Sequence, residues 1–415
     1  MKKIIIVIVS ILTAFFAHSQ KKHSLEECVN IALNSNRNIK QAELVFSKTA
    51  IELKEARNKL LPEINAEANH NWNFISEKTA TSSTTSYWGL NSSIQLFDGL
   101  KSIYEIKYRK NELTISDLKV LYQKQLIRDE VTNFYLKILL NEELKAMALS
   151  QLQLTDSLLI QRKTLLAQGR IAQGELLELY AQRAKEEFQC TQASNNLLIS
   201  KLDLTQLLEI DYDSLFAIGS LDDDFMQAEF YNDEYVYNNA LKNRANIRSA
   251  ELQVHANMLN TTLIKSRYFP NISAGVVAGE NYLNGSVNPF STRFYLMASV
   301  PIFDKFETKN LLQKNKVQTK LAELNLLNEK KELYKAIEQA KYNSYAAKAK
   351  WESAVKSEKI SLETYNYLKS KYDSGKATVY ELYQAKTNLL LQNSAALQAK
   401  YEYYFQQKMI QNLMN

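Results

Sequence analysis

A repeated plan constrains this chain more than any other feature. Residues 32–43 read ALNSNRNIKQAE, and residues 240–251 read ALKNRANIRSAE, about 208 positions later. Leu61-Pro62-Glu63-Ile64 returns as Phe269-Pro270-Asn271-Ile272 at the same offset, and Leu96-Phe97-Asp98 returns as Ile302-Phe303-Asp304 at about 206. Gln168-Gly169-Arg170, with Glu175-Leu176 after it, returns as Ser374-Gly375-Lys376 with Glu381-Leu382. Four landmarks in one order mean that each half carries the same elements, so the chain is a tandem duplication. We place the first repeat at 20–222 and the second at 223–415.

Residues 1–19 read as a secretory signal peptide. Lys2 and Lys3 precede an apolar run from Ile4 to Phe16, and Ala17-His18-Ser19 supplies small residues at the usual cleavage spacing. The run is too short to span a bilayer as a helix. The mature start is expected near Gln20, and no cysteine stands there to carry a lipid. Cys28 reads as a small apolar residue on the face of the first helix. With Cys190 far away in sequence, the two cysteines give no disulfide framework. Without Lys2 and Lys3 the formal charge falls from +6 to +4, with no basic cluster that would suit nucleic acid.

Glycine and proline mark the elements by their absence. Only 9 Gly and 4 Pro occur, and none falls in 100–168 or in 305–374. In a helix interior Gly costs about 1 kcal/mol and Pro about 3 kcal/mol, so their exclusion favours uninterrupted helix. Each span would reach on the order of 100 Å if straight, which points to coiled-coil or tube-like packing. The series Ile337, Ala340, Ser344, Ala347, Trp351, Ala354, Glu358, Ser361, Tyr365, Leu368, Tyr372 steps by three and four along one stripe. Its small, aromatic and polar members fit a helix in the wall of a tube better than a dry zipper. Further helices are expected over Leu25–Lys59, Glu175–Glu209 and Val379–Gln411, with helix pairs at 100–210 and 305–413.

All four prolines lie in the two stretches where the period switches to two. Asn65, Glu67, Asn69, Asn71 and Asn73 alternate with Ala66, Ala68, His70, Trp72 and Phe74. Trp88, Leu90, Ile94 and Leu96 alternate with Asn91, Ser93 and Gln95. In the second half Ile272, Ala274, Val276, Ala278 and Tyr282 share one face, as do Phe294, Leu296, Ala298, Val300 and Ile302. The hairpins, placed at 63–97 and 271–303, have strands of about 10–12 residues with the alternation of a membrane barrel. Trp72, Phe74, Trp88, Leu90, Val276, Phe294 and Leu296 are expected to face lipid, and Asn71, Asn73, Asn91 and Ser93 the lumen. Four strands cannot close a barrel, since about eight are the working minimum. A barrel must therefore be shared between copies, two or three of which would satisfy closure.

No catalytic or cofactor site is legible. Gly169–Gly174 has the glycine spacing of a phosphate loop, but Glu175 stands where lysine is required. Ser374-Gly375-Lys376 is followed by Ala377, without the needed upstream glycine. His23, His70 and His255 are isolated from one another and from cysteine pairs, so no metal spacing exists. No G-x-S-x-G elbow is present. Asp222-Asp223-Asp224 reads as a solvated linker between the repeats.

With these landmarks in place the chain resembles the TolC-like outer-membrane efflux proteins. The resemblance rests on the order and twofold recurrence of the hairpins, Leu96-Phe97-Asp98-Gly99 and Ile302-Phe303-Asp304, the Tyr372…Gly375…Glu381 turn, and Ala399-Lys400-Tyr401-Glu402-Tyr403. It implies a mainly α fold with a small β part. Three protomers would share a twelve-stranded outer-membrane barrel, continued by a long antiparallel coiled-coil tunnel in the periplasm of a Gram-negative bacterium. The function implied is that of a passive exit duct, coupled through a periplasmic adaptor (membrane fusion protein) to an inner-membrane pump. No enzyme activity and no cofactor are implied.

The resemblance also places Gly169, Arg170, Ile171, Gly375, Lys376 and Ala377 at the tips that an adaptor grips. Tyr372, Glu381 and Gln384 fall at the periplasmic aperture. There the chain departs from the family, with Ala377 at the tip-arginine position and Gln384 at a second acidic one. A different class of function, a periplasmic coiled-coil scaffold with soluble hairpins, would differ in leaving membranes with salt or alkali. The exported cargo is not readable from the sequence.

Overall fold

In a computed structural model of the chain, the described residues are 22–74, 83–213, 216–220, 233–283, 286–287 and 289–414. The leader expected at 1–19 and Asp222–Asp224 lie outside them. The first half runs β1 (Lys22–His23), α1 (Leu25–Ser35), α2 (Arg37–Asn58), β2 (Glu63–Asn73), β3 (Ser83–Phe97), α3 (Lys101–Ala167), α4 (Gln173–Leu207) and β4 (Ala217–Ile218). The second runs α5 (Asp233–Asn243), α6 (Ala245–Lys265), β5 (Asn271–Leu283), a stub β6 (Ser286–Val287), β7 (Ser291–Ser299), α7 (Glu307–Asp373) and α8 (Val379–Met414). The long helices α3 and α7 each have 67 residues, and α4 and α8 have 35 and 36. Each helix and each long strand of the first half thus has a counterpart in the second, while β1, β4 and β6 have none.

Two expectations on element bounds are corrected. The single helix expected over Leu25–Lys59 divides at Asn36, whose backbone is extended at ψ 132°. The Asn36 side chain accepts the Asn38 N–H at 2.9 Å and donates to the Leu207 carbonyl at 3.1 Å, offering the backbone an alternative to continued helix. The second half breaks at the corresponding Arg244, between α5 and α6. The last strand stops at Ser299 rather than at 303. Pro301 has no N–H to extend a ladder, so Val300 and Ile302 leave the sheet.

Each hairpin passes into its long helix through the same device. Asp98 accepts the Ser102 N–H at 2.8 Å and Asp304 accepts the Thr308 N–H at 2.8 Å, capping α3 and α7. The turn before each helix needs two left-handed residues, Gly99 and Leu100 in one half, Lys305 and Phe306 in the other. At Gly99 a Cβ would also press on the Ser266 carbonyl at 2.6 Å, so the glycine serves both conformation and space.

The chain divides into two compact units, and neither is a repeat. Among the described residues, one comprises those within 22–40, 122–244 and 332–414; the other comprises those within 41–121 and 245–331. The first is helical and contains the main core, where Cys28, Ile39, Val131, Tyr135, Leu204 and Tyr404 pack together. Burial pushes the Cys28 thiol up to about 12, as expected of an inert apolar residue, and both cysteines are free. The Tyr135 hydroxyl donates to the Gly219 carbonyl at 2.8 Å beside a parallel β1–β4 ladder that sequence periodicity did not announce. All eleven residues of the α7 stripe are buried or half-buried, from Ile337 at 6 % exposure to Tyr372.

The second unit holds the sheet and the helices beside it. Strands run in the order β2-β3-β5-β7, antiparallel throughout, with β6 extending β5's pairing. Next to it α6 and α7 are joined by amides. Asn315 donates to the Asn257 carbonyl at 2.8 Å and to Thr261 Oγ1 at 2.7 Å, and Asn260 donates to Asn315 Oδ1 at 2.8 Å. Such a network fixes helix register, because a slip would leave each amide unpaired.

Candidate functional site: one sheet face and two helix turns

The strand register decides which side chains share a face. Ala68 pairs Trp88 and Trp72 pairs Thr84, placing even-numbered residues of β2 and β3 together. Leu90 pairs Ala278 and Ser92 pairs Val276, which carries the same face across β5. Val276 pairs Phe294 and Ala274 pairs Leu296, which carries it to β7. Trp72, Trp88, Leu90, Val276, Phe294 and Leu296 therefore lie on one face of a continuous sheet, and Phe74 follows β2 in the same alternation. Phe294 is 81 % exposed and Phe74 84 %, although both are large and apolar. A water-facing surface of this kind would be abnormal for a monomeric soluble protein.

Asn71, Asn73, Asn91 and Ser93 lie on the opposite face, with Asn65 paired to Asn91 and Glu63 to Ser93. There the Tyr295 ring covers Gly275 so closely that a Cβ would overlap it. Among the described residues β2 bonds only to β3, and β7 only to β5, so both long edges of the sheet are unpaired.

The turns joining α3 to α4 and α7 to α8 are built alike. Gly169 and Gly375 stand at φ +68° and +72°. Gly169 N–H donates to Leu166 O at 2.8 Å and Arg170 N–H to Leu165 O at 2.9 Å; Gly375 and Lys376 repeat the pair onto Tyr372 O at 3.0 Å and Lys371 O at 2.8 Å. This is the Schellman closure, in which a left-handed glycine satisfies the last carbonyls of a helix. Arg170 and Lys376 are exposed, while Ile171 and Ala377 are half-buried.

The two turns differ in how they use their glutamates. Thr378 caps α8, and Glu381 answers it: Thr378 N–H donates to Glu381 Oε2 at 2.7 Å, and Glu381 N–H donates to Thr378 Oγ1 at 3.2 Å. This is a capping box, and its backbone hydrogen bond holds the exposed Glu381 carboxyl below the usual carboxylate range. The cap of α4 is Ala172, which has no side-chain oxygen to offer. Glu175 is the repeat-related residue of Glu381, and its carboxylate instead accepts from the Tyr372 hydroxyl. The Arg162 guanidinium lies 4.2 Å from the centre of the Tyr372 ring.

Of the aperture candidates, Glu381 and Gln384 line one groove of about 950 Å³ with Glu178, Lys185 and Tyr380. Tyr372 is not among the groove's lining. It packs instead with Leu159, Leu179, Val379 and Tyr383. Sequence reasoning missed Arg162 and the pairing of Tyr372 with Glu175, since neither is local in the chain. Among the described residues no group of three or more His, Cys, Asp or Glu could hold a metal, and no helix is long and apolar enough to cross a membrane.

The comparisons agree with this arrangement. The family model for outer membrane efflux proteins matches residues 28–209 and 236–415, one match to each half. The fold is similar to the structure of CusC described in connection with transmembrane channel formation, with TM-score 0.83 and 15 % identity over 94 % of this chain and 92 % of that one. It is similar to the Campylobacter jejuni CmeC outer membrane channel, with TM-score 0.79 and 18 % identity over 94 % and 85 %. The open state of the Neisseria gonorrhoeae MtrE outer membrane channel gives 0.79 and 17 % over 94 % and 88 %. No curated protein matches the chain in sequence. Matched in both halves by one family model, the chain belongs to the outer membrane efflux protein family, and is an efflux duct of the outer membrane with a large periplasmic part.

Proposed function

We propose that three copies of this chain complete one twelve-stranded barrel, and that the assembly is the passive exit duct of a tripartite efflux or type I secretion system. A periplasmic adaptor and an inner-membrane pump supply the coupling and the energy. The observation that carries this reading is the sheet. Six of the seven apolar candidates fall on one face by register with Phe74 following in step, amides line the other, and among the described residues both long edges are open. In lipid an unpaired edge leaves backbone groups unsatisfied at several kcal/mol each, so the edge of β2 requires a β7 from another copy.

In the same reading, Gly169, Arg170, Ile171, Gly375, Lys376 and Ala377 form the surface met by the adaptor. Tyr372, Glu381 and Gln384 bound the aperture. The groove shared by Glu381 and Gln384 supports a place near a common surface for those two. For Tyr372 the support is its bond to Glu175, which ties α7 to α4. The proposed boundary between repeats at 222 and 223 lies outside the described residues.

Membrane extraction followed by native mass measurement tests the reading. The protein should resist alkaline wash, leave with detergent, and weigh as three copies. Release by alkali would favour the soluble scaffold, and a monomer in detergent with a folded sheet would refute the shared barrel.

A further inference from the structure

Thr155 on α3, Glu186 on α4 and Lys386 on α8 form a polar cluster sealed inside the helical unit. The Lys386 and Glu186 side chains are 2 % and 1 % exposed, and Lys386 Nζ lies 3.1 Å from Glu186 Oε1. Lys386 also donates to Thr155 Oγ1 at 2.6 Å, Thr155 donates to Glu186 Oε2 at 2.5 Å, and Gln182 donates to Glu186 Oε1 at 2.8 Å. Both carboxylate oxygens and the ammonium therefore have partners. Burial alone pushes the lysine below its usual range, and Glu186 works against that shift. Each ion is tolerable in the interior only while it keeps the other.

The location gives the pair its meaning. Thr155 and Glu186 belong to the α3–α4 hairpin, and Lys386 to the α7–α8 hairpin. On α8, Val379 and Tyr383 precede Lys386 on the same side and pack on Leu159 and Leu179, so apolar layers lie between the pair and the Gly375 turn. Apolar layers can slide past one another at small cost. An ion pair with this geometry cannot, because displacement leaves two bare charges in a dry interior.

We propose that the Glu186–Lys386 pair is a latch holding the α7–α8 hairpin to the α3–α4 hairpin, so that the hairpins part in one discrete step when the pair breaks and hydrates. This rests on the reading of the chain as a duct whose helical end opens. The latch is separate from the Tyr372–Glu175 bond, and acts through packing rather than by touching cargo.

The full-length assembly in planar bilayers, with hydrogen exchange of the 379–390 amides measured alongside, tests it. Glu186→Gln and Lys386→Met should each raise resting conductance several-fold and speed exchange in that stretch. Thr155→Val, which strips one hydrogen bond from each ion without baring a charge, should do so less, and it serves if the other single variants fail to assemble. The exchange Glu186→Lys with Lys386→Glu keeps one ion of each sign at the site and should bring conductance and exchange back toward wild type. Single variants indistinguishable from wild type, or a double variant as leaky as the singles, would overturn the latch. Wild-type protein that forms no channel would overturn the duct reading, and the exchange rates would still decide for or against the latch.

Discussion

The turn at Gly169 and the turn at Gly375 are the same piece of structure with different wiring. Both end a 67-residue helix by a left-handed glycine with two backbone bonds in the same register. Both place a glutamate three residues into the next helix, Glu175 and Glu381. What separates them is the residue at the cap. Thr378 has a hydroxyl and keeps Glu381 at home in a capping box, whereas Ala172 has none and leaves Glu175 to reach Tyr372 on the other hairpin. One missing oxygen converts a local cap into a long-range link. A duplicated chain can thus make one copy of a turn structural and the other a fastening without changing its backbone.

The comparison breaks most visibly at Tyr372. Tyr372→Phe removes the donor and leaves the half-buried Glu175 carboxylate short of a partner, a loss of about 1.5–3 kcal/mol for a hydrogen bond to a charged group. Resting conductance in planar bilayers should rise. Glu381→Ala should leave that resting level nearer to wild type, because its carboxylate is engaged within its own helix start. If Glu381→Ala opens the duct as far as Tyr372→Phe does, the two turns have not been told apart.

Exchanging the caps sharpens the contrast. Thr378→Ala should cost about 1 kcal/mol of helix stability by loss of the cap, read as a lower melting temperature. Ala172→Thr should do the opposite locally. It offers Glu175 a capping partner, stabilises the start of α4, and weakens the bond to Tyr372. Higher thermal stability together with greater resting conductance is the expected signature, and neither change alone would bear out the competition.

Acid gives the smallest effect. The Glu381 carboxyl is held low by its hydrogen bonds to Thr378 and is fully exposed. A depressed carboxylate contributes stability that is complete above its unfolded pKa and is lost as pH falls through the lower folded value. The melting temperature of wild type should therefore decline below the ordinary carboxylate range, and Glu381→Gln should flatten that part of the decline. An equally steep decline in the variant would place the acid sensitivity elsewhere, for instance at Asp304, which is held low by its bonds to Thr308.

Much of the architecture was legible because it is governed by local rules. The absence of glycine and proline marked the whole of α3, and the period-two stretches marked all four long strands and which of their side chains alternate together, although the alternation was read too far, through Val300 and Ile302, past the end of β7. The left-handed conformation of Gly169 and Gly375 followed from their place between helices. The break at Asn36 depends on a bond to Leu207 in another part of the chain, and so left no local period to read. The Tyr372–Glu175 bond joins residues 197 apart, and the buried Lys386–Glu186 pair joins residues 200 apart. A lysine on the buried side of α8, in step with Val379 and Tyr383, was the available signal for the latter. Composition alone would have passed it as a solvated charge.

The central claim is that this sheet has one face for lipid and one for a lumen, and arginine substitution at two positions tests it most directly. Leu296 lies on the apolar face and Ser93 on the amide face, both within strands of the same sheet. With folding and assembly into lipid vesicles measured for both variants, Leu296→Arg should cost about 2–4 kcal/mol at midplane depth and Ser93→Arg far less. Equal tolerance of the two arginines, or the reverse order, would contradict the account.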